Sequence, residues 1–420
     1  MSAAEGAAAA KPEPGRWGVI IAGLLALAVA MGIGRFAFTP ILPMMLHDKV
    51  IDLPGASWLA SANYLGYLVG ALLCTAQPWI WRRIPSLPPI NAPLMVRGGL
   101  TATIIFTTGM SLNESSLWPP LRFASGVASA FVFVYASSWC LAQLARRGVA
   151  NMGGLIYIGP GAGIVASGLL ASAMVSGGWP SGAAWMIFGL LALVLTAVIL
   201  SKFRVQAPSP GTATSGGTPT APAYAPAANL PTGTGEVALL TFSYGLAGFG
   251  YIITATFLPV IARQAIPGSA WLDLFWPLFG TGVMLGAIIA SRIPSGGDNR
   301  LLLAGCYFVQ AAGIGIGIVS PSAAGFALGS LLLGLPFTAI TFFAMQEVRR
   351  IRAASAPSYM GLLTALYGIG QIVGPPLVAV LLRHSATAGE GFALALEIAA
   401  GTLVVGGVIF AGMARVYPMK

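Results

Sequence analysis

Apolar residues along the chain form twelve long runs separated by short polar segments. Each run is about as long as a helix must be to cross a bilayer. The first run covers about 30 residues, which predicts a long or tilted helix. The pattern therefore predicts an all-α membrane protein with twelve transmembrane helices. The runs lie at 17–46, 56–80, 91–112, 117–143, 150–176, 181–203, 236–262, 271–292, 301–319, 322–346, 357–382 and 391–414.

One polar segment is much longer than the others. Residues 204–235 are rich in Pro, Gly, Thr and Ala and cannot bury enough apolar surface to fold alone. They predict a flexible cytoplasmic linker between an N-terminal six-helix bundle at 17–203 and a C-terminal six-helix bundle at 236–420. Residues 1–16 lack the charged start and apolar core of a cleaved signal, and we expect a disordered tail there.

Composition and charge agree with a membrane protein and predict its orientation. Of 420 residues, 57% are hydrophobic and 8% are charged, against about 25% charged in soluble domains. The net charge of +10 comes from basic residues between the runs, which follows the positive-inside rule and excludes a nucleic-acid surface. Three basic residues, Lys49, Arg263 and Arg383, would lie outside if the N-terminus is inside. We therefore expect an inner-membrane protein with both termini cytoplasmic. The sixteen basic residues of the inner segments are Lys11, Arg16, Arg82, Arg83, Arg97, Arg146, Arg147, Lys202, Arg204, Arg292, Arg300, Arg349, Arg350, Arg352, Arg415 and Lys420.

The two halves are related by sequence. The segment GIGRFAFTPILP at 32–43 aligns with GFGYIITATFLP at 248–259, an offset of 216 residues. The same offset places GYLVGALLCT at 66–75 on GVMLGAIIAS at 282–291. With six helices per half, both copies enter the membrane in the same direction. The alignment predicts two parallel repeats about an axis along the membrane normal.

These features together resemble the major facilitator superfamily over nearly the whole chain. RFASGVASA at 122–130 looks like the fourth-helix motif of that superfamily, and GQIVGPP at 370–376 resembles its Gly-x-x-x-Gly-Pro element. The paired segments at 32–43 and 248–259 look like the YbfB/YjiJ-type group. The usual Gly-x-x-x-Asp-Arg signature between helices two and three is absent. The resemblance implies alternating access, with helices one, four, seven and ten lining a central cavity and the fourth-helix arginine associated with proton coupling.

Two arginines, Arg35 and Arg122, lie within the apolar runs. An arginine at the centre of a span costs about 2.5–3.5 kcal/mol. Arg35 is separated from Leu46 by about 16 Å of helix, too far for its side chain to reach the headgroups. It therefore either binds an anion in a water-filled cavity or bonds carbonyls of a neighbouring helix. Arg122 lies about five residues inside its helix, so capping or snorkelling is also open. Two guanidiniums in the cavity would favour an anion, because a carboxylate fits their planar fork.

The repeat alignment supplies further candidates. It places Tyr251 opposite Arg35 at equal depth, with Phe38 and Thr254 three residues further along the same helices. Gln371, Tyr367 and Asn63 are polar residues within runs, for which a helix–helix hydrogen bond is the alternative. The predicted coupling residues are Arg122 and Asp273. The predicted substrate-binding residues are Arg35, Arg122, Phe38, Tyr251, Thr254, Gln371 and Tyr367.

No motif indicates an enzyme, a cofactor or a metal site. Both histidines, His47 and His384, lie near run ends outside any ligand spacing. We expect a monomeric secondary transporter of a small organic anion, coupled to protons or working by exchange, whose partners are its substrate and the lipid bilayer. One alternative is an exporter of amphipathic or aromatic compounds. A different class of alternative is a non-transporting membrane sensor or a lipid scramblase.

Overall fold

The computed structural model describes residues 15–87, 90–112, 114–203, 234–269, 271–293, 297–352 and 356–418. Within these residues every regular element is helical. A π-helical segment, Ala28–Arg35, separates α1 from α2, and short 3₁₀ segments precede α5, α6 and α9. The α-helices are α1 Arg16–Leu27, α2 Phe38–His47, α3 Leu53–Arg83, α4 Ala92–Gly109, α5 Trp118–Arg146, α6 Ile158–Ser176, α7 Ser181–Leu200, α8 Thr234–Ala265, α9 Phe275–Arg292, α10 Asn299–Val319, α11 Ala323–Gly334, α12 Phe337–Ile351, α13 Ala356–His384 and α14 Ala388–Val416.

Eleven helical segments of the described chain are long and apolar enough to cross a membrane, where α1–α2 and α11–α12 each count as one. They cover eleven of the twelve predicted runs. The run at 91–112 forms α4, which is not among the eleven: it has 18 residues and carries Arg97 and four threonines. These polar residues lower its mean hydropathy, although α4 packs against both α5 and α7.

The predicted tail and linker coincide only partly with the described residues. Arg16, predicted in the tail, instead opens α1, and residues 1–14 lie outside the described chain. Residues 204–233 of the predicted linker also lie outside it, and Thr234 already belongs to α8. We call the end of the bundle where α7 ends and α8 begins the linker end, and the opposite end the far end. The first half denotes α1–α7 and the second half α8–α14.

The first span is broken at its centre by the π segment. The amide of Phe36 donates to the Met31 carbonyl at 3.0 Å, a bond one residue wider than in an α-helix. The Arg35 carbonyl would accept from the amide of residue 39 in an α-helix and from that of residue 40 in a π-helix. The Thr39 amide instead donates to the Phe36 carbonyl, and Pro40 has no N–H, so the Arg35 carbonyl lacks both of these donors. The chain re-forms an α-helix at Phe38. The break therefore exposes backbone acceptors beside Arg35 that neighbouring helices must satisfy.

Glycines let the neighbouring helices approach this region closely. The π segment packs on α6 with Gly32 against Gly163, where a side-chain carbon on either would overlap the backbone of the other. Gly66 on α3 faces Phe123 on α5, and an added Cβ would overlap the Phe123 carbonyl oxygen. In the second half, Gly286 on α9 faces the carbonyl of Leu335, where α11 ends. Helix axes thus come together where Cβ atoms are missing.

We expect Gly66→Ala to destabilise the protein, because the new methyl group must push α3 and α5 apart. Overpacking of this kind typically costs about 1–3 kcal/mol. Gly98→Ala on α4 is the matched control, since no atom lies within 4 Å of its added Cβ. The measurement is the melting temperature of the purified protein in detergent. Equal melting temperatures for the two variants would show that the α3–α5 contact is not tight.

Candidate functional site

Arg35 is buried between the two halves of the molecule. It ends the π segment and is 3% exposed. Its Nη2 donates to Gln371 Oε1 on α13 at 2.5 Å. The guanidinium lies over the Tyr67 ring, 3.9 Å from the ring centroid, with Tyr64 and Phe36 each at 5.5 Å. Arg35 therefore does not extend toward either membrane surface but points into the bundle.

Gln371 connects Arg35 to Tyr251. Its Nε2 donates to the Tyr251 hydroxyl on α8 at 2.5 Å, and both side chains are buried. Because a guanidinium can only donate, the amide oxygen must face Arg35 and the amide nitrogen must face Tyr251. The structure thus brings together Arg35, Gln371 and Tyr251, three of the predicted site residues, in one chain of hydrogen bonds across the two halves.

Arg122 lies beside Arg35 but binds the backbone. It is 2% exposed, and its terminal nitrogens donate to the carbonyls of Gly34 at 3.3 Å and Arg35 at 3.2 Å. Its guanidinium lies 5.1 Å from the centroid of the Phe38 ring. Arg122 therefore donates to carbonyls at the break in the first span, and its guanidinium also lies over the Phe38 ring.

Three neutral side chains also donate hydrogen bonds to backbone carbonyls in this region. Ser125 and Ser129 on α5 donate to Gly34 at 2.9 Å and to Ala30 at 2.8 Å. Asn63 on α3 donates to the Arg122 carbonyl at 2.9 Å, so the helix–helix alternative holds for it. Arg122, Ser125 and Ser129 stand on one face of α5 at spacings of three and four residues. This polar stripe within an apolar run is the sequence feature that could have identified the two serines as functional candidates.

The two arginines bring positive charge into the bundle without a counter-ion. Within the residues that the structure describes, neither Arg35 nor Arg122 forms an ion pair. The Nε atom of each is buried and has no hydrogen-bond partner. A buried charge without a counter-ion is costly unless polar groups or a ligand compensate it. The site therefore has donors and positive charge to offer to an anion.

Aromatic rings of the second half form one wall next to Arg35. Tyr367 lies between Tyr244, at a ring-centroid distance of 4.8 Å, and Tyr251, at 5.8 Å, and both pairs are stacked. Phe337, where α12 begins, meets Tyr251 edge-on at 5.0 Å and Phe36 at 6.0 Å. Tyr367, a predicted site residue, thus belongs to this wall through its ring. Tyr64 and Tyr67, which cover Arg35 from the first half, were not among the predicted residues.

Two predicted site residues lie elsewhere. Thr254 lines a cavity of about 20 Å³ within the second half, together with residues of α10, α11 and α14 such as Gly313 and Ser330. That volume holds about one water molecule. Asp273 forms an ion pair with Arg263 near the far end. Within the described residues the Thr254 hydroxyl has no hydrogen-bond partner, so it does not extend the hydrogen-bonded chain of Arg35, Gln371 and Tyr251.

Further hydrogen bonds join the halves on the far-end side of Arg35. Thr39 donates to the Ala255 carbonyl at 2.8 Å, and Ser61 donates to the Ile372 carbonyl at 3.0 Å. The Tyr64 hydroxyl bonds the Thr256 hydroxyl at 2.8 Å. These bonds cover the site from the far end.

Buried acidic residues cluster at the linker end of the second half, away from the site. Glu236 and Glu347 are 2% and 0% exposed and surround Arg300, which is fully buried. Arg300 bonds Glu236 at 3.1 Å and Asp298 at 2.8 Å, and Arg350 bonds Glu347 at 2.5 Å. Sequence reasoning missed this cluster because both glutamates lie at the ends of runs. It ties together the linker-end termini of α8, α10, α12 and α14.

Comparison with known proteins agrees with this architecture. The family model described as uncharacterised MFS-type transporter YbfB matches residues 27–411, which confirms the resemblance seen in the sequence. Among solved structures, the chain is similar to a crystal structure of a point mutant of the nucleoside transporter NupG. The two share 16% sequence identity with a TM-score of 0.70, over 95% of this chain and 99% of that one. At this identity the likeness shows the fold alone. No curated protein matches the chain.

We expect Arg122→Met to destabilise the protein by about 1–3 kcal/mol, because the Arg35 carbonyl then loses its side-chain donor. Methionine keeps the length and apolar stem of the side chain and removes the donors. The melting temperature in detergent measures the effect, with Arg146→Met at the exposed end of the same helix as the control. A melting temperature unchanged at both positions would show that the carbonyls do not need Arg122.

The carboxyl group of Asp298 should make the stability of the folded state depend on pH. Burial alone would raise the pKa of Asp298, but hydrogen bonds from the Arg300 side chain and amide, and the charges of Arg300 and Arg350, outweigh it and lower the pKa. A carboxylate whose pKa is lower in the folded state stabilises that state above its ordinary value of 3.8 and loses this effect as the pH falls through the lowered pKa.

Asp298→Asn should therefore lower the melting temperature at pH 7, and the difference from the unchanged protein should shrink as the pH falls below 3.8. Melting curves across this range test it. A difference that is constant with pH would show that the Asp298 charge is not what stabilises the cluster.

Proposed function

We propose that this chain moves a small organic anion across the cell's inner membrane by alternating access. The chain belongs to the YbfB family of uncharacterised MFS-type transporters. Arg35 binds the negative charge of the substrate at the contact between the two halves. The two halves are six-helix repeats around this site, with α4 as the twelfth crossing and both termini cytoplasmic.

The observation that carries this proposal is the buried guanidinium of Arg35, which has no counter-ion within the described part of the chain. Its hydrogen-bond partner, Gln371, is neutral, and its Nε is free of any partner. Insertion of such a charge costs about 2.5–3.5 kcal/mol. Stacking on Tyr67 offsets a part of that cost, since a cation on an aromatic face is worth about 0.5–2 kcal/mol. An anionic substrate would supply the missing charge.

The position of Arg35 supports transport over a purely structural role. It bonds α13 of the second half from the first helix of the first half, so a rocking motion of the halves must change its surroundings. Arg122, in contrast, bonds carbonyls within its own half. Arg122 thus acts on the substrate through Arg35, whose backbone it holds. Coupling to protons, or exchange for a second anion, is the driving force that we propose.

A second candidate is transport of neutral or amphipathic aromatic compounds. The stacked rings of Tyr244, Tyr367 and Tyr251 favour it, because they offer an aromatic ring flat surfaces for stacking. The similar solved structure is that of a nucleoside transporter, and a nucleobase is such a ring. In this case Arg35 would be structural, held by Gln371 and Tyr67.

Substitutions at Arg35 separate the two candidates. Arg35→Lys keeps the charge but loses the planar fork, and Arg35→Leu removes both, along with the insertion cost. We expect both variants to fold and to lose about ten- to hundred-fold in apparent affinity for the anion, the loss that follows from a hydrogen bond to a charged group. Uptake of a labelled panel of anions, sugars, nucleosides and aromatic amines into liposomes measures this.

Tyr251→Phe removes one neutral hydrogen-bond partner and should cost less, on the order of 1 kcal/mol. Arg83→Leu, at the exposed end of α3, is the control for loss of an arginine. If Arg35→Leu misfolds, or carries a neutral substrate as well as the unchanged protein does, Arg35 is structural and the aromatic candidate takes precedence.

A further inference from the structure

The side chain of Gln371 has the contacts of a ligand. It comes from α13 and is 2% exposed. Its oxygen accepts from the Arg35 guanidinium at 2.5 Å, and its nitrogen donates to the Tyr251 hydroxyl at 2.5 Å. Both of these partners were predicted as substrate-binding residues. One amide group therefore fills the whole distance between the two predicted anchors.

An amide and a carboxylate have the same planar outline of three heavy atoms. A carboxylate between Arg35 and Tyr251 would accept from the guanidinium with one oxygen and from the tyrosine hydroxyl with the other. The hydroxyl can reverse its role, since it donates as readily as it accepts. A carboxylate would also provide the negative charge that the amide lacks, so that its contact with the guanidinium becomes an ion pair as well as a hydrogen bond. The position of the Gln371 amide thus fits one carboxylate in shape and suits it better in charge.

The surroundings accept only one such group. The terminal nitrogens of Arg122 already donate to backbone carbonyls. One face of the Arg35 guanidinium is covered by Tyr67. The rings of Phe36, Phe337 and Tyr367 lie within about 6 Å of Arg35 or Tyr251. The other cation beside this position is Arg122, and a second carboxylate would compete for it with the Gly34 and Arg35 carbonyls, each of which costs about 1–3 kcal/mol when it is left unpaired.

We propose that the substrate is a monocarboxylate, and that its carboxylate displaces the Gln371 amide and bridges Arg35 and Tyr251. The inference rests on the proposed function, in which Arg35 binds an organic anion. Gln371 is then an internal competitor of the substrate. Because Gln371 and Arg35 belong to different halves, the exchange also removes the bond by which Arg35 holds the second half.

A first experiment needs no substrate. Gln371→Glu places a carboxylate between Arg35 and Tyr251, and we expect it to raise the melting temperature at pH 7 by a few degrees. Gln310→Glu is the matched control: Gln310 is 1% exposed in the same half, and its amide donates to the Leu333 carbonyl at 3.1 Å. A carboxylate at position 310 cannot donate to the Leu333 carbonyl and would place two acceptors against each other, so the melting temperature should fall. A comparable fall at both positions would overturn the proposal, whereas organic-anion transport would still stand on the Arg35 variants.

A second experiment compares ligands by their thermal stabilisation of the unchanged protein. The monocarboxylates are acetate, benzoate and phenylacetate, the dicarboxylates are succinate and terephthalate, and benzamide is the neutral analogue. We expect stabilisation by a monocarboxylate at concentrations at least ten-fold below those that the other compounds need. Gln371→Glu should abolish this stabilisation, and Gln371→Leu should increase the affinity several-fold because the competitor is gone.

The possible failures are distinguishable. Stabilisation by dicarboxylates but not by monocarboxylates would overturn the proposed substrate class and leave organic-anion transport in place. Stabilisation by no carboxylate at all would overturn both. Weaker binding to Gln371→Leu than to the unchanged protein would show that Gln371 binds the substrate together with Arg35 and does not compete with it.

Discussion

A guanidinium held at the centre of an apolar bundle is the constraint on which the rest of this structure depends. Arg35 is held by neutral groups, the amide of Gln371 and the ring of Tyr67. Its own carbonyl is held by Arg122. These contacts fix the position of the charge but do not neutralise it. The positive charge that remains between the halves is what an anion can recognise, because Coulomb interactions are strong where water is excluded.

The broken first helix and the polar face of α5 depend on each other. The end of the π segment leaves the Arg35 carbonyl without the Thr39 and Pro40 amides as donors, and inside a membrane each unmet carbonyl costs several kcal/mol. Arg122, Ser125 and Ser129 supply donors to that segment, and they can reach it because Gly34 carries no side chain toward Ser129. An unbroken α-helix would need no such donors and would direct residue 35 elsewhere on its surface. The two arginines thus have separate tasks, since Arg122 maintains the backbone geometry that presents Arg35.

The sequence was most informative where single residues contradict their surroundings. Arg35 and Arg122 stand out because charge is rare within apolar runs, and the repeat alignment led from Arg35 to Tyr251. The π segment leaves no such signal, because apolar runs look alike whether a helix is tight or wide.

The alignment places Thr254 on the same helical face as Tyr251, because it follows Tyr251 by three residues. Three residues turn a helix by about 300°, so at a junction of several helices the two side chains can face different neighbours, and Thr254 faces α10, α11 and α14. The bond between Arg35 and Gln371 joins residues 336 positions apart, and no local pattern reveals such a contact.

Competition between Gln371 and a substrate has a consequence for turnover. A carrier that binds its substrate tightly in every conformation gains affinity without gaining speed, just as uniform binding in an enzyme lowers KM without raising kcat. If the carboxylate must first displace the Gln371 amide, a part of its binding free energy is spent on breaking a bond between the halves. A ligand changes a conformational equilibrium only through its different affinity for the two states. The substrate would therefore bind best to the state in which Gln371 and Arg35 have separated. The hydrogen bonds at Thr39, Ser61 and Tyr64 do not involve the substrate and would hold the far end closed until the halves move.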